Sequence, residues 1–151
     1  MWRLCQAVHQ ASAFDGDGAR RYAGRWHHKG QSVVYTAATQ SLAALEILVH
    51  VDSDLIPNNF IAIAVDIPDS IKVSVISRYE LPDNWQEAYP PEACRKLGSQ
   101  WLEQAKTAVL AVPSAVIPDE TNYILNPHHA DFKQLTLHQA LPFRFDGRLW
   151  R

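Results

Sequence analysis

Between Lys29 and Asp52 the chain carries one formally charged side chain, Glu46, in the middle of its longest apolar stretch, Leu42 to Val51. From Thr39, a candidate N-cap, to His50 the residues Leu42, Leu45, Leu48 and Val49 recur at helical spacing, which predicts one buried helix. Counting roughly 100° per residue, Glu46 lies about 40° from Leu42 and about 60° from Val49, so it shares their flank and does not sit on an opposite polar face. An ionised carboxylate buried there must be offset by a partner or by function. Perturbed carboxylates gather at active sites, but ion-pair networks perturb them too. The plain alternative is that Glu46 reaches the rim of the helix and pairs with His50, four residues on, or with an arginine. As a lone carboxylate on an apolar flank, it is expected to be removable by Glu46→Ala without harm to packing. The stretch itself is about half of what a bilayer requires, so no membrane span is expected.

A chain of 151 residues is the size of one domain. With 47% apolar and 20% charged residues it is too apolar to remain disordered. A net charge of -2 argues against a protein that lives on a phosphate backbone, so nucleic acid is not an expected direct partner. Cys5 and Cys94 form neither a disulfide framework nor a CxxC pair, which suits a reducing cytoplasm. The start, Met1 to Cys5, meets His9 and Asp15 before any apolar segment of signal-peptide length, so export is not indicated.

Phe14 to Gly30, with Arg20, Arg21, Gly24, Arg25 and Lys29, reads as an irregular, glycine-rich, basic loop. Ser32 to Ala37 and Phe60 to Ile67 read as strands, and Ile71 to Ile76 extends or pairs with the second. Pro82, Pro90 and Pro91 punctuate a loop. Glu92 to Thr107 has an amphipathic helical pattern with Leu97, Trp101 and Leu102 inward. Val109 to Val112 reads as a buried strand stopped by Pro113, and Leu141 to Leu149 as a last strand. Strands and helices do not alternate regularly, so the class is α+β with an antiparallel or mixed sheet.

Several residues could carry chemistry. Arg25 follows a glycine that lets backbone approach a ligand closely, and the basic loop would suit an anion such as a pyrophosphate, although such loops are usually solvated. Asp15 and Asp17 lack the glutamate that closes a calcium loop. Ser114 ends a strand outside any GxSxG and is better cast as a hydrogen-bond donor than as a nucleophile. The pairs His27-His28 and His128-His129 have neither HExxH spacing nor a supporting cysteine, so no metal is expected. Asn122 and Asn126 bracket an apolar segment ending at Pro127 and read first as turn caps. Trp26, Tyr35 and Trp101 could stack on a base but read equally as core.

Taken in order, these segments resemble the RES toxins, named for an arginine, a glutamate and a serine. The resemblance runs through Gly24-Arg25-Trp26, Gly30, Val34-Tyr35-Thr36-Ala37, Leu42 to Glu46, Leu110 to Ser114, Asn122 to His128 and Pro142 to Leu149. It departs where Ala23 stands in place of a second glycine and His27 in place of an asparagine.

The resemblance implies one RES domain over residues 1–151, a single compact fold related to ADP-ribosyltransferases, with a split mixed β-sheet and flanking helices. It implies that NAD+ is the substrate, without a metal, and that Arg25, Glu46 and Ser114 are catalytic. Arg25, Tyr35, Glu46, Ser114 and, more weakly, Asn126 would bind the dinucleotide. Arg25 would hold phosphates or the nicotinamide ribose, Tyr35 would meet the nicotinamide end, and Ser114 would help fix the ring. The expected reaction is cleavage of the nicotinamide–ribose bond, depleting cellular NAD+ and arresting growth. ADP-ribosylation of a protein and non-catalytic ligand binding stand as rivals. The resemblance also implies a cytoplasmic toxin held by an Xre-type antitoxin protein, and it allows a homodimer without requiring one.

Overall fold

The computed structural model describes residues 1–51 and 59–150. Its strands in chain order are β1 (Trp2–Gln6), β2 (Val34–Ala37), β3 (Phe60–Asp66), β4 (Val73–Val75), β5 (Val109–Pro113), β6 (Thr121–Leu125), β7 (Thr136–Leu137) and β8 (Leu141–Phe143). The helices are α1 (Asp17–Arg21), α2 (Gln40–Leu48) and α3 (Glu92–Gln104), with short 3-10 turns between. All eight strands join one sheet in the order β4-β5-β6-β2-β1-β3-β7, and β8 lies beside β7 along the same edge of β3. Every pairing is antiparallel except β4 with β5, so the sheet is mixed and the class is α+β.

Period-two alternation divides the core. Tyr35, Leu110, Val112 and Ile124 face a cluster with Trp26, Cys94 and Trp101, while Val34, Val109 and Leu125 face another with Val65, Ile71 and Leu135. Ala37, two residues from Tyr35 and so on the same face, packs with Leu42 and Ala43 of α2. The two longer helices therefore cover one face of the sheet, α2 over β1 and β2 and α3 over β5 and β6. The seam between them runs past Tyr35, Ala37 and Asn122, because Asn122 shares a face with Ile124 and pairs in register with Ala37.

The structure departs from the sequence expectations at definite places. The helix from Thr39 is buried only at Leu42 and Ala43, and Val49 is exposed, because the sheet covers one side of a helix that is apolar nearly all round. The segment Ile71 to Ile76 neither extends nor pairs with β3. Its middle forms β4 and joins β5 in parallel at the opposite end of the sheet, the crossover being supplied by α3. Asn122 to Leu125 belongs to a strand in the middle of the sheet, between β5 and β2. The last strand stops at Phe143, and Gly147–Trp150 turns into a 3-10 helix with Arg148 bonded back to Asp146. Strand β1, which pairs with β3 over five residues, has no counterpart in the sequence reading.

Candidate functional site

Helix α2 begins where Thr39 accepts a hydrogen bond from the backbone N–H of Leu42 at 3.1 Å, a side-chain cap that fixes the first turn. Two turns on, the helix carries Glu46 across the ends of β5 and β6. There Ser114 Oγ donates to Glu46 Oε1 at 2.7 Å and Asn122 Nδ2 donates to the same oxygen at 2.5 Å. Neither His50 nor an arginine is bonded to the carboxylate among the described residues. Two neutral donors hold its charge without cancelling it, whereas a guanidinium would form a salt bridge. Oε2 accepts no hydrogen bond from the described residues, so the carboxylate is anchored on one side and open on the other.

Ser114 is fully buried, and its Oγ also accepts from the N–H groups of Val116 and Ile117 at 3.1 and 3.0 Å. The hydroxyl is spent on the turn beneath it and on Glu46. It underlies the carboxylate and ties it to the turn after β5.

Arg25 reaches from the basic loop to the far side of the seam. Its Nη1 donates to the carbonyl of Trp85 and its Nη2 to that of Glu87 at 2.9 Å, which leaves further donors of the fork uncommitted. Burial pulls the guanidinium below its ordinary pKa, against the raising pull of Cys94, Glu46 and Tyr35. Those opposing pulls place Arg25, Glu46 and Tyr35 within one another's electrostatic reach.

Tyr35 is held by its hydroxyl. His27 Nε2 lies 2.9 Å from the carbonyls of both Ala19 and Tyr22, so it carries the proton, and Nδ1 accepts from Tyr35 at 2.8 Å. The same oxygen accepts from the N–H of Trp26 at 3.3 Å. Burial pushes the phenol well above its usual range, with the Trp26 bond, Arg25 and Arg95 pulling the other way. His27 thus latches the loop onto Tyr35. Gly24 is required beside it, since a Cβ there would lie 2.7 Å from the Tyr35 oxygen. Tyr35→Phe would orphan the buried N–H of Trp26 and leave His27 Nδ1 without a donor. A loss of about 1–3 kcal/mol is expected, read as a lower midpoint in urea unfolding.

The loop is also fastened to α3. Arg95 Nε donates to the carbonyl of Gly24 at 3.2 Å, and His28 meets Ser99 at 2.6 Å and Glu92 at 2.8 Å. Asn126 does not join the site. It lies four residues along from Asn122, about 13 Å on an extended strand, and its Oδ1 accepts from the N–H of His128 at 3.0 Å, as a turn cap does. Trp26 and Trp101 are core. Two shallow hollows of about 290 and 250 Å³ lie beside Trp85 and along Arg78, Tyr79 and Pro118, and neither includes Glu46 or Tyr35. What marks the seam is therefore the set of polar groups that converge on it, Glu46 with Ser114 and Asn122 on one side and Arg25 with Tyr35 on the other.

The RES domain model matches residues 1–146. The chain belongs to the RES family. This RES domain is 39% identical over 150 residues to Toxin Res of Photorhabdus laumondii subsp. laumondii, covering 99% of this chain and 96% of that protein. It is 37% identical to Toxin Res of Yersinia enterocolitica, over 99% of this chain and 98% of that one. It is 33% identical to a Sphingobium protein named Prs ADP-ribosylating toxin, over 99% of this chain and 96% of that one. Among solved structures, the crystal structure of the M. tuberculosis MbcT–MbcA toxin–antitoxin complex matches with a TM-score of 0.77 at 17% identity, covering 95% of this chain and 82% of that chain. That likeness is one of fold. No helix of the described residues is long and apolar enough to cross a membrane.

Within the RES domain, sequence reasoning singled out Arg25, Tyr35, Glu46 and Ser114, and these four lie around one seam. It missed the service of Asn122 to Glu46 and of His27 to Tyr35. The signal for Asn122 was a polar residue inside a segment of strand-forming Tyr123, Ile124 and Leu125.

Proposed function

We propose that this RES domain is the toxin of a toxin–antitoxin pair and that it binds NAD+ over the seam and breaks the nicotinamide–ribose bond. The observation that carries the reading is a carboxylate held on one oxygen by two neutral donors, with no partner for the other among the described residues, within electrostatic reach of Arg25 and Tyr35. Cleavage passes through an oxocarbenium-like state, and a fixed negative charge beside it lowers the barrier. The bond between C1′ of the ribose and the ring nitrogen breaks with its electron pair going to nicotinamide, which leaves neutral. Glu46 Oε2 stabilises the positive charge left on the ribose. Arg25 supplies fixed donors for the pyrophosphate, and Tyr35, whose hydroxyl is committed to His27 and Trp26, offers its ring. Water or phosphate then adds to C1′, with loss of a proton, to give ADP-ribose or its 1-phosphate.

A second reading is that the acceptor is a protein side chain, favoured by the name of the Sphingobium relative. Purified chain incubated with NAD+ labelled in the adenylate half and with cell lysate separates the two. Free nicotinamide without a labelled protein band is the expected result. A labelled band replaces depletion with protein modification, and neither product overturns the enzyme reading. An Xre-type antitoxin covering the seam is the partner this reading calls for, and the cytoplasm, where NAD+ is available, is the compartment.

A further inference from the structure

We infer that Asn122 is a positioning residue for Glu46, an inference that rests on the NAD+-cleaving reading above. Asn122 lies on β6, in register with Ala37 on one side and Val112 on the other, in the interior of the sheet. An apolar or β-branched residue would suit that place. Its amide instead makes one hydrogen bond among the described residues, from Nδ2 to Glu46 Oε1 at 2.5 Å, and Oδ1 is buried with no partner. Turning the amide over would bring two acceptors together at the carboxylate and leave both N–H donors unmade, so Nδ2 toward Glu46 is the orientation that wastes least. An amide that spends its only bond on a carboxylate and leaves a buried acceptor unmade serves the carboxylate and not the fold. Proteins break a local rule in this way at functional sites and accept lower stability there.

The division of labour with Ser114 follows from their partners. Ser114 is tied to the backbone of Val116 and Ile117, and so fixes where Oε1 sits. A single anchor lets a carboxylate swing about it. The second donor, arriving from a different strand, sets the plane of the group and with it the direction of Oε2. Neither donor carries charge, so both orient the carboxylate without drawing off the charge that the reacting ribose needs.

Steady-state nicotinamide release by the full chain tests this with Asn122→Ala, which removes the amide, and Asn122→Asp, which keeps its shape and removes the donor. In both, kcat is expected to fall by roughly 10-fold to 100-fold, as when a reacting group is misplaced by a fraction of an ångström to an ångström, with KM for NAD+ nearly unchanged. The melting temperature of Asn122→Ala is expected to stay level or rise, since an unmade buried acceptor is removed. Wild-type kcat in either variant would overturn the inference, and so would failure of Asn122→Ala to fold or a kcat loss that only follows its folded fraction. Glu46→Gln is run alongside. If it releases nicotinamide at the wild-type rate, the NAD+ reading itself fails. If it is silent while Asn122→Ala is fully active, only the positioning role fails.

Discussion

Replacing Glu46 by glutamine is expected to lower nicotinamide release on the order of 10³-fold, the size of effect seen when a preorganised electrostatic partner is removed from a reacting centre, while leaving the melting temperature little changed. Glutamine has the same shape, and its amide oxygen can still accept from Ser114 Oγ and Asn122 Nδ2, the two groups that now bond Oε1. Only the open oxygen is altered, from half of an anion to an NH2 group that repels a developing positive charge. The cruder Glu46→Ala confuses two effects. Read from the sequence it removes an isolated charge from an oily flank and spares the fold. In the structure it strips the acceptor from two buried donors, each costing about 1–3 kcal/mol when left unmade. At roughly 2–4 °C per kcal/mol for a chain of this size, Glu46→Ala should melt several degrees lower and Glu46→Gln should not. Chromatographic assay of nicotinamide and thermal melts of both variants check this. A fully active Glu46→Gln removes the carboxylate from the mechanism.

What the sequence revealed and what it hid follow a physical line. Helix α2 was legible to its first residue because an isolated threonine before an apolar repeat is a local signal, and Thr39 does cap Leu42. Helix α3 and strands β2, β3 and β5 carry patterns longer than a turn. Strand β1 was missed because Arg3, Cys5 and Gln6 give no alternation, yet Arg3 reaches the carbonyl of Tyr35 at 2.8 Å from within the sheet. The partner of β4 was misjudged because Ile71 and Ile76 look continuous with β3 by composition. Pairing depends on a crossover through α3 that no window of ten residues contains. Among the site residues, Glu46 stood out as a charge in the wrong company, and Arg25, Tyr35 and Ser114 came from the family resemblance. Asn122 and Asn126 looked alike in sequence, both flanking the same apolar run. The pairing of β6 between β5 and β2 separates them, delivering one to Glu46 and leaving the other to cap a turn.

Gly98→Ala in α3 should reverse the usual sign of such a change. In an ordinary helix interior, alanine for glycine gains about 1 kcal/mol of helix propensity. Here an added Cβ would lie 1.9 Å from the carbonyl oxygen of Trp26 and 2.7 Å from its carbonyl carbon, and both atoms are backbone. No rotamer can relieve that contact, so α3 and the loop must part. The parting acts on fastenings around it: the Arg95 bond to Gly24, the His28 bonds to Ser99 and Glu92, and the seating of buried Trp26 against Cys94 and Trp101. Overpacking of this kind costs typically 1–3 kcal/mol and sometimes more, so the melting temperature should fall by about 2–12 °C. Arg25 is the next residue to Trp26, and its hold on the carbonyls of Trp85 and Glu87 depends on where the loop lies. NAD+ affinity measured by calorimetry at a temperature where the variant is still folded should therefore drop as well, although Gly98 faces backbone and no ligand. A Gly98→Ala chain that melts at or above the wild-type temperature would mean that α3 does not pack on the loop at Trp26. The anchoring of Arg25 would then have to come from the strand side alone.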